Sequence, residues 1–396
     1  MKIVGINAVS YGSTGTIMRN IAEVARKNGI EYHTFSKRVK GENPKYDYHH
    51  YICSYRAAQL SARLSSYTGF EGIWNIYDTH KLIKQLKRIK PDIIHIHNLH
   101  GWYINLPMLF KYIKKSNINV VWTLHDCWAF TAKCPYFQMA NCNKWKTECK
   151  KCPQLSIYPQ QKTDFTKQMF RLKRKWFTGI EKMTIVTPSK WLADLVVMSF
   201  LKDNRIKVIN NGIDLEVFRP LKSDFKDIHD LQNLKIVLGV ASDWGVRKGL
   251  DVFNNLADTL PEEYKIVLVG VGNQNDISEK IIKIPSAKAT QLAQIYSAAD
   301  VFVNPTREDN YPTVNVEALA CGTPVVTFDT GGSSEIVRLT NGGIVVEKDN
   351  IKDLIKAIIT VSSNSEYNFS RYSQVFDMNS KFIEYCSLYK EICGEI

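Results

Sequence analysis

Residues 306–326 read TREDNYPTVNVEALACGTPVV, with Glu308 and Asp309 before a turn and Glu317 inside the helical run that follows. Carboxylate oxygens accept paired hydrogen bonds from vicinal diols, so acids at this spacing suit sugar or ribose hydroxyls. Pro312 fits the first turn of the helix TVNVEALA, whose free N–H groups and positive dipole end suit a phosphate. The plainer alternative is an acid complementing the helix dipole beside a solvated glutamate. Lys248, in VRKGLD, opens a helix just after a strand, where it either answers an anion or is simply solvated. Gly12-Ser13-Thr14-Gly15 joins the first strand to the first helix; such a GxxG is a tight turn as often as a phosphate loop. His95 and His97 alternate along IIHIHN and so share one face, with His100 in the loop after them. They serve packing or hydrogen bonding on an acceptor side. His125, in WTLHDCW, follows another buried strand.

Five of the nine cysteines fall between residues 127 and 152. Cys134, Cys142, Cys149 and Cys152 include one C-x-x-C, so the four thiols could close a structural zinc site. Buried or reducible thiols, and disulfides, remain open, and Cys127 is expected in the core. The sequence offers no D-x-D metal motif, and catalysis is expected to need no cofactor.

The elements that must position these residues alternate along the whole chain. KIVGIN, IIHIHN, VVWTL and TIVT read as buried strands separated by helices, and the cycle restarts at LKIVLGV, YKIVLVG, VFVNPT, PVVTF and GIVV. Strands alternating with helices of this length argue parallel sheets covered on both faces. At 396 residues, two domains are expected. One covers 1–204 and the other 205–371, with a C-terminal helix over 372–396 packing back on the first. Ligands in such sheets gather at the carboxyl ends of the strands, where the candidate residues stand.

The ordered set ASDWGVRKGLD, NNGID, AADVFVNPTREDNYPTVNVEALACGTPVV, GGSSEIV and GGIVV resembles the GT-B glycosyltransferases of family four. The resemblance implies two doubly wound Rossmann-like domains facing across a cleft, and a retaining, metal-independent transfer of sugar from a nucleotide diphosphate. By resemblance Glu317 holds the donor ribose, and Asp309, with Glu308 beside it, takes the position of the sugar-side acid. Asn310, Tyr311, Pro312 and Thr313 line the sugar and phosphate, and Lys248 is the phosphate lysine. The family's usual arginine is Ser242 here, with Arg247 as a substitute cation. Gly12, Ser13 and Gly15 line the donor phosphates or the acceptor, and His125 lies near the anomeric centre. His125, Asp309 and Glu308 are then positioning groups, the leaving phosphate taking the acceptor's proton. A subgroup associated with exopolysaccharide assembly shows a similar HD-W-F-T…C…C…C-x-x-C-P pattern.

Charge divides the chain. Residues 1–200 hold 31 Lys and Arg against 12 Asp and Glu, a net +19, while residues 201–396 hold 21 against 27, a net −6. No nucleic-acid-binding motif accompanies the basic half, so nucleic acid is not an expected partner. KQMFRLKRKWFTGIEK mixes Lys167, Arg171, Lys173, Arg174, Lys175 and Lys182 with aromatics, which suits an anionic lipid surface or an ordinary helix packing its apolar side. The N-terminus lacks a signal-peptide h-region. A cytoplasmic enzyme at the inner-membrane face, extending a lipid-linked polysaccharide precursor from a UDP- or GDP-sugar, is therefore expected. A transferase with a soluble acceptor and a catalytically impaired nucleotide-binding scaffold are the alternatives.

Overall fold

The computed structural model describes residues 1–41, 47–272, 274, 276–364 and 373–395. The chain forms two compact units, Met1–Asn210 with Phe382–Ile396, and Asn211–Lys381.

The first unit is built on seven strands: β1 (Lys2–Ile6), β2 (Glu31–Ser36), β3 (His49–Tyr51), β4 (Ile93–Ile96), β5 (Asn119–Thr123), β6 (Met183–Thr187) and β7 (Arg205–Val208). They lie in the order β3-β2-β1-β4-β5-β6-β7, every neighbouring pair parallel. β7 pairs with β6, so the unit runs past the boundary expected at 204. One sheet face is apolar: Val4, Ile6, Ile94, Ile96, Val120 and Trp122 join a single core with the helix side chains Leu82, Leu86, Leu109, Phe110 and Phe177. Side chains alternate across a strand, so His95, His97 and Thr123 must point to the other face, and all three are buried there. The segment expected as one C-terminal helix is two, Ser373–Phe376 and Met378–Cys393, and residues 371, 372 and 396 lie outside those described. From the longer helix, Tyr385 and Tyr389 reach that polar face: Tyr389 Oη stands 2.8 Å from His95 Nδ1 and Tyr385 Oη 3.1 Å from Thr123 Oγ1.

The second unit holds β8 (Lys235–Val240), β9 (Tyr264–Val269), β10 (Ile282–Ile284), β11 (Val301–Asn304), β12 (Val325–Phe328) and β13 (Gly343–Val346). Their order is β10-β9-β8-β11-β12-β13, again all parallel. Val237, Ile266, Leu268, Val303 and Val326 enter one apolar cluster while Ile236, Leu238, Val267, Phe302 and Val325 enter another. Successive residues of each strand thus feed opposite faces, as a parallel sheet covered on both sides requires. Each fully buried Val, Ile or Leu contributes about 1.5–3 kcal/mol, which fixes the register and with it the loops at the strand ends.

Candidate functional site

In each sheet the winding direction reverses once, between β1 and β4 and between β8 and β11. Ligands of doubly wound sheets bind at the carboxyl ends of the strands flanking such a reversal. Gly12, Ser13, Gly15, His97 and His100 follow the strands at the first of these places, and Lys248, Glu308 and Asp309 those at the second.

In the second unit, β8 leads into the turn Val246–Lys248, a 3-10 turn rather than the helix start expected there; the helix begins at Leu250. β11 leads into the loop 305–312, and the helix Thr313–Ala320 follows, starting and ending as the sequence predicts. Lys248 Nζ stands 2.5 Å from Asp309 Oδ2, and Arg247 Nη1 donates to the Glu308 carbonyl at 3.1 Å. The two neighbouring cations reach adjacent residues of the opposite loop, Arg247 a backbone carbonyl and Lys248 a carboxylate. Asp309 is fixed as well as paired. Its Oδ1 accepts from the Asn310 N–H at 2.9 Å, and its carbonyl accepts from the Gly332 N–H at 3.2 Å. Gly331 is required here: its φ is +56°, and a Cβ would meet the Asp309 carbonyl oxygen at 1.8 Å. Glu308, Asn310, Tyr311 and Pro312 are buried, and Thr313 is half-buried.

Glu317 keeps part of its surface exposed, while its carboxylate is enclosed and accepts from Tyr296 Oη at 3.1 Å. Burial pushes its pKa up to about 7, against the opposing pull of hydrogen bonds from Tyr296 and Thr313. Under the helix, Asn315 is wholly buried: its Oδ1 accepts from Asn304 Nδ2 at 2.7 Å and its Nδ2 donates to the Ser333 carbonyl at 2.9 Å. That chain ties β11, the helix Thr313–Ala320 and the helix Ser333–Thr340 into one block.

Sequence reasoning missed Arg307, which holds the two loops together. Its guanidinium donates to both Asp251 carboxylate oxygens at 2.8 Å, to Asp349 Oδ1 at 2.7 Å and to the Val246 carbonyl at 2.5 Å. Its backbone N–H donates to the Arg247 carbonyl at 2.8 Å. The only signal in the sequence was a lone arginine beside two acids, and its partners are 42 and 56 residues away. Four of the five guanidinium N–H groups of Arg307 are engaged by these acceptors.

In the first unit, Gly12, Ser13 and Gly15 belong to the helix Gly12–Lys27 itself, not to a loop before it. Gly15 packs so closely on the preceding turn that a Cβ would lie 2.6 Å from the Ser10 carbonyl carbon. Asn7, just after β1, ties the switch point shut by accepting from the Asn98 N–H at 3.1 Å. His125, after β5, lies 3.0 Å (Nε2) from Nδ1 of His97, the two rings stacked 11° from parallel. Burial lowers the pKa of His95 to about 3 and of His125 to about 4, and drives His97 well down, so all three are neutral at pH 7. His97 Nε2 is buried with no hydrogen-bond partner among the described residues. His100 pairs instead with Asp126, at 2.9 Å, and with the Tyr158 hydroxyl.

The cysteine segment folds around this end of the unit. Cys127 is buried as expected. Cys134 and Cys152 share a sulfur hydrogen bond that lowers the Cys152 pKa and raises that of Cys134. Among the described residues no group of three or more His, Cys, Asp or Glu side chains is placed to hold a metal ion. Beside the cysteines Lys173 is wholly buried. It donates to the Trp128 carbonyl, sits 3.4 Å from the centre of the Trp128 ring, and has its pKa lowered by burial to about 7. Of the two readings of the basic helix, the structure shows the ordinary one, a helix packing its apolar side on the unit. The helix Thr166–Phe177 buries Met169, Phe170, Lys173 and Phe177 in the unit and exposes polar residues, Lys167, Gln168, Arg171, Arg174 and Lys175.

Residues 14–217 match the family model Glycosyltransferase Family 4, and residues 235–364 match the model Glycosyl transferases group 1. Over 275 residues the chain is 26% identical to an Escherichia coli (strain K12) protein assigned as the colanic acid biosynthesis glycosyl transferase WcaC, a match covering 67% of this chain and 66% of that one. The chain spans at most about two thirds of the length of the curated relatives it matches. Among solved structures, sucrose-phosphate synthase of Thermosynechococcus elongatus aligns over 100% of both chains with a TM-score of 0.72 at 16% identity. Anabaena HepE, solved with UDP and glucose, aligns over 99% of this chain and 100% of that chain with a TM-score of 0.65 at 14% identity. At these identities the likeness is one of fold.

Proposed function

Because the chain belongs to glycosyltransferase family 4, we propose that it transfers a sugar, with retention of anomeric configuration, from a UDP- or GDP-linked donor to a growing lipid-linked polysaccharide precursor. The observation that carries this is the arrangement at the β8–β11 switch point. The cation Lys248 and the Asp309 carboxylate meet there beside the start of the helix Thr313–Ala320, with Glu308 next to Asp309 in the loop and Glu317 further along that helix, held by Tyr296. In this reading Lys248 and the helix N–H groups take the diphosphate, and their field stabilises the charge that develops on the leaving phosphate. Glu317 accepts from the ribose diol, and Asp309 from the transferred sugar. His125, neutral and fixed by His97, orients the sugar as a hydrogen-bonding group. Retention rests on the family resemblance, and the polysaccharide precursor on the likeness to WcaC.

A thermal-shift panel of nucleotide sugars tests the donor, beginning with UDP-sugars because HepE was solved with UDP. Transfer to a lipid-linked acceptor, lost in Glu317→Ala and Lys248→Ala, tests the reaction. A wild-type protein that binds a nucleotide sugar yet neither transfers nor hydrolyses it would replace this reading by that of a binding scaffold.

Contact with an anionic membrane surface belongs to the same proposal, but through a different helix from the one the sequence suggested. The helix Tyr55–Thr68 buries its small residues Ala58, Ser61 and Ser65 and exposes Leu60 (59%), Leu64 (36%) and Tyr67 (61%). Arg56 and Arg63 stand among them, Lys162 lies 4.0 Å from the Tyr67 ring centre, and the helix has no acid. An apolar stripe flanked by cations suits an interfacial position on anionic lipid. Among the described residues no helix is long and apolar enough to cross a membrane. Sedimentation with phosphatidylglycerol vesicles, weakened by Leu60→Glu and Leu64→Glu, supports this contact; equal sedimentation of the variants contradicts it.

A further inference from the structure

The group proposed to take the diphosphate and the group proposed to take the sugar are spent on each other. Lys248 Nζ lies 2.5 Å from Asp309 Oδ2, and the two side chains are only 17% and 15% exposed. Neither backbone can give way easily. Arg307 fastens the Val246 and Arg247 carbonyls to its own loop, and Asp309 is held at its carboxylate by Asn310 and at its carbonyl by Gly332. The lysine side chain, with four rotatable bonds, is the part that can move.

We infer that Asp309 is the internal counter-anion of Lys248, and that the donor binds by exchange. The diphosphate takes the ammonium from Asp309, and the carboxylate so released accepts a hydroxyl of the transferred sugar. This inference rests on the donor-site reading. Its consequence is selectivity against the spent nucleotide. A nucleoside diphosphate without a sugar must also break the Lys248–Asp309 pair, and it leaves the Asp309 carboxylate beside its own negative charge with no hydroxyl in return. A nucleotide sugar supplies that hydroxyl. An uncompensated buried carboxylate is disfavoured, so the pair favours substrate over product at a site whose phosphate contacts are common to both.

Calorimetric titration of UDP, UDP-glucose, GDP and GDP-mannose into the full chain tests the exchange, followed with whichever base the wild type binds. In Asp309→Asn, Lys248 has no competing anion, and the diphosphate alone is expected to bind about 5-fold tighter or more. The preference for nucleotide sugar over nucleoside diphosphate falls at the same time. In Lys248→Met, adding Asp309→Asn brings no such tightening from release of a paired lysine. Asp309→Ser repeats the measurement should the asparagine variant not fold. Unchanged or weaker binding of the diphosphate in folded Asp309→Asn and Asp309→Ser, with the wild type binding normally, overturns the exchange and leaves the donor site standing. A wild type that binds none of the four compounds overturns the donor-site reading and the exchange with it.

Discussion

Two side chains carry a measurable pH dependence. Glu317, with its pKa raised to about 7, gains its charge only as pH rises through that value, so donor affinity is expected to increase across it. Glu317→Gln flattens this rise and weakens donor binding about 10-fold or more, as a lost charged hydrogen bond does; donor titrations at several pH values check both. The same raised pKa contributes to folding below the ordinary glutamate range and is lost as pH climbs to about 7. Lys173 acts with the opposite bias. Its depressed pKa means that the unfolded chain binds the extra proton, so its contribution is fully present above the ordinary lysine value and is lost as pH falls through about 7. Lys173→Met is expected to remove this part of the pH dependence of the melting temperature. Glu317 was legible in the sequence because its spacing from Asp309 carries meaning along the chain. The burial of Lys173 was not, because a lysine among arginines and aromatics on one helix reads as surface until the Trp128 ring that covers it is seen.

At the scale of elements, hydrophobic periodicity predicted the strands well, and the helix Thr313–Ala320 to the residue, because each has apolar runs and turn residues of its own. For the basic helix, periodicity showed which face is apolar and left open whether protein or lipid covers it; protein does. The exposed stripe of Tyr55–Thr68 escaped notice for the converse reason: its buried side consists of alanine and serine, which carry no hydrophobic signal. Arg307 has the largest element-level consequence. Arg307→Ala severs its links to Asp251, Asp349 and Val246 and frees the turn carrying Arg247 and Lys248. Since both acids are about half exposed, a loss of about 1–2 kcal/mol in stability is expected by denaturant titration. Donor KM should rise in this variant by more than its stability loss alone would produce, a split that Arg307→Lys only partly restores.

At the scale of the whole molecule, the expectation of two doubly wound α/β units is met by two parallel sheets with one winding reversal each. The sequence led us to expect the C-terminal helix on the first unit, which holds Phe382–Ile396; that β7 belongs there as well it could not show, because pairing between β6 and β7 leaves no local trace. Tyr385→Phe and Tyr389→Phe are each expected to cost about 1 kcal/mol of stability by removing a hydrogen bond to the buried face of the first sheet. That face also has a bearing on how the protein is made. Synthesis runs from the N-terminus, and the tyrosines that close over His95 and Thr123 leave the ribosome only after the entire second unit has done so. The first unit therefore waits, with a stripe of dehydrating histidine and threonine uncovered, while its successor completes itself, reversing the usual order in which N-terminal domains finish first. A fragment ending at residue 210 should accordingly fail to unfold cooperatively, and a peptide spanning 378–395 added in trans should restore the transition.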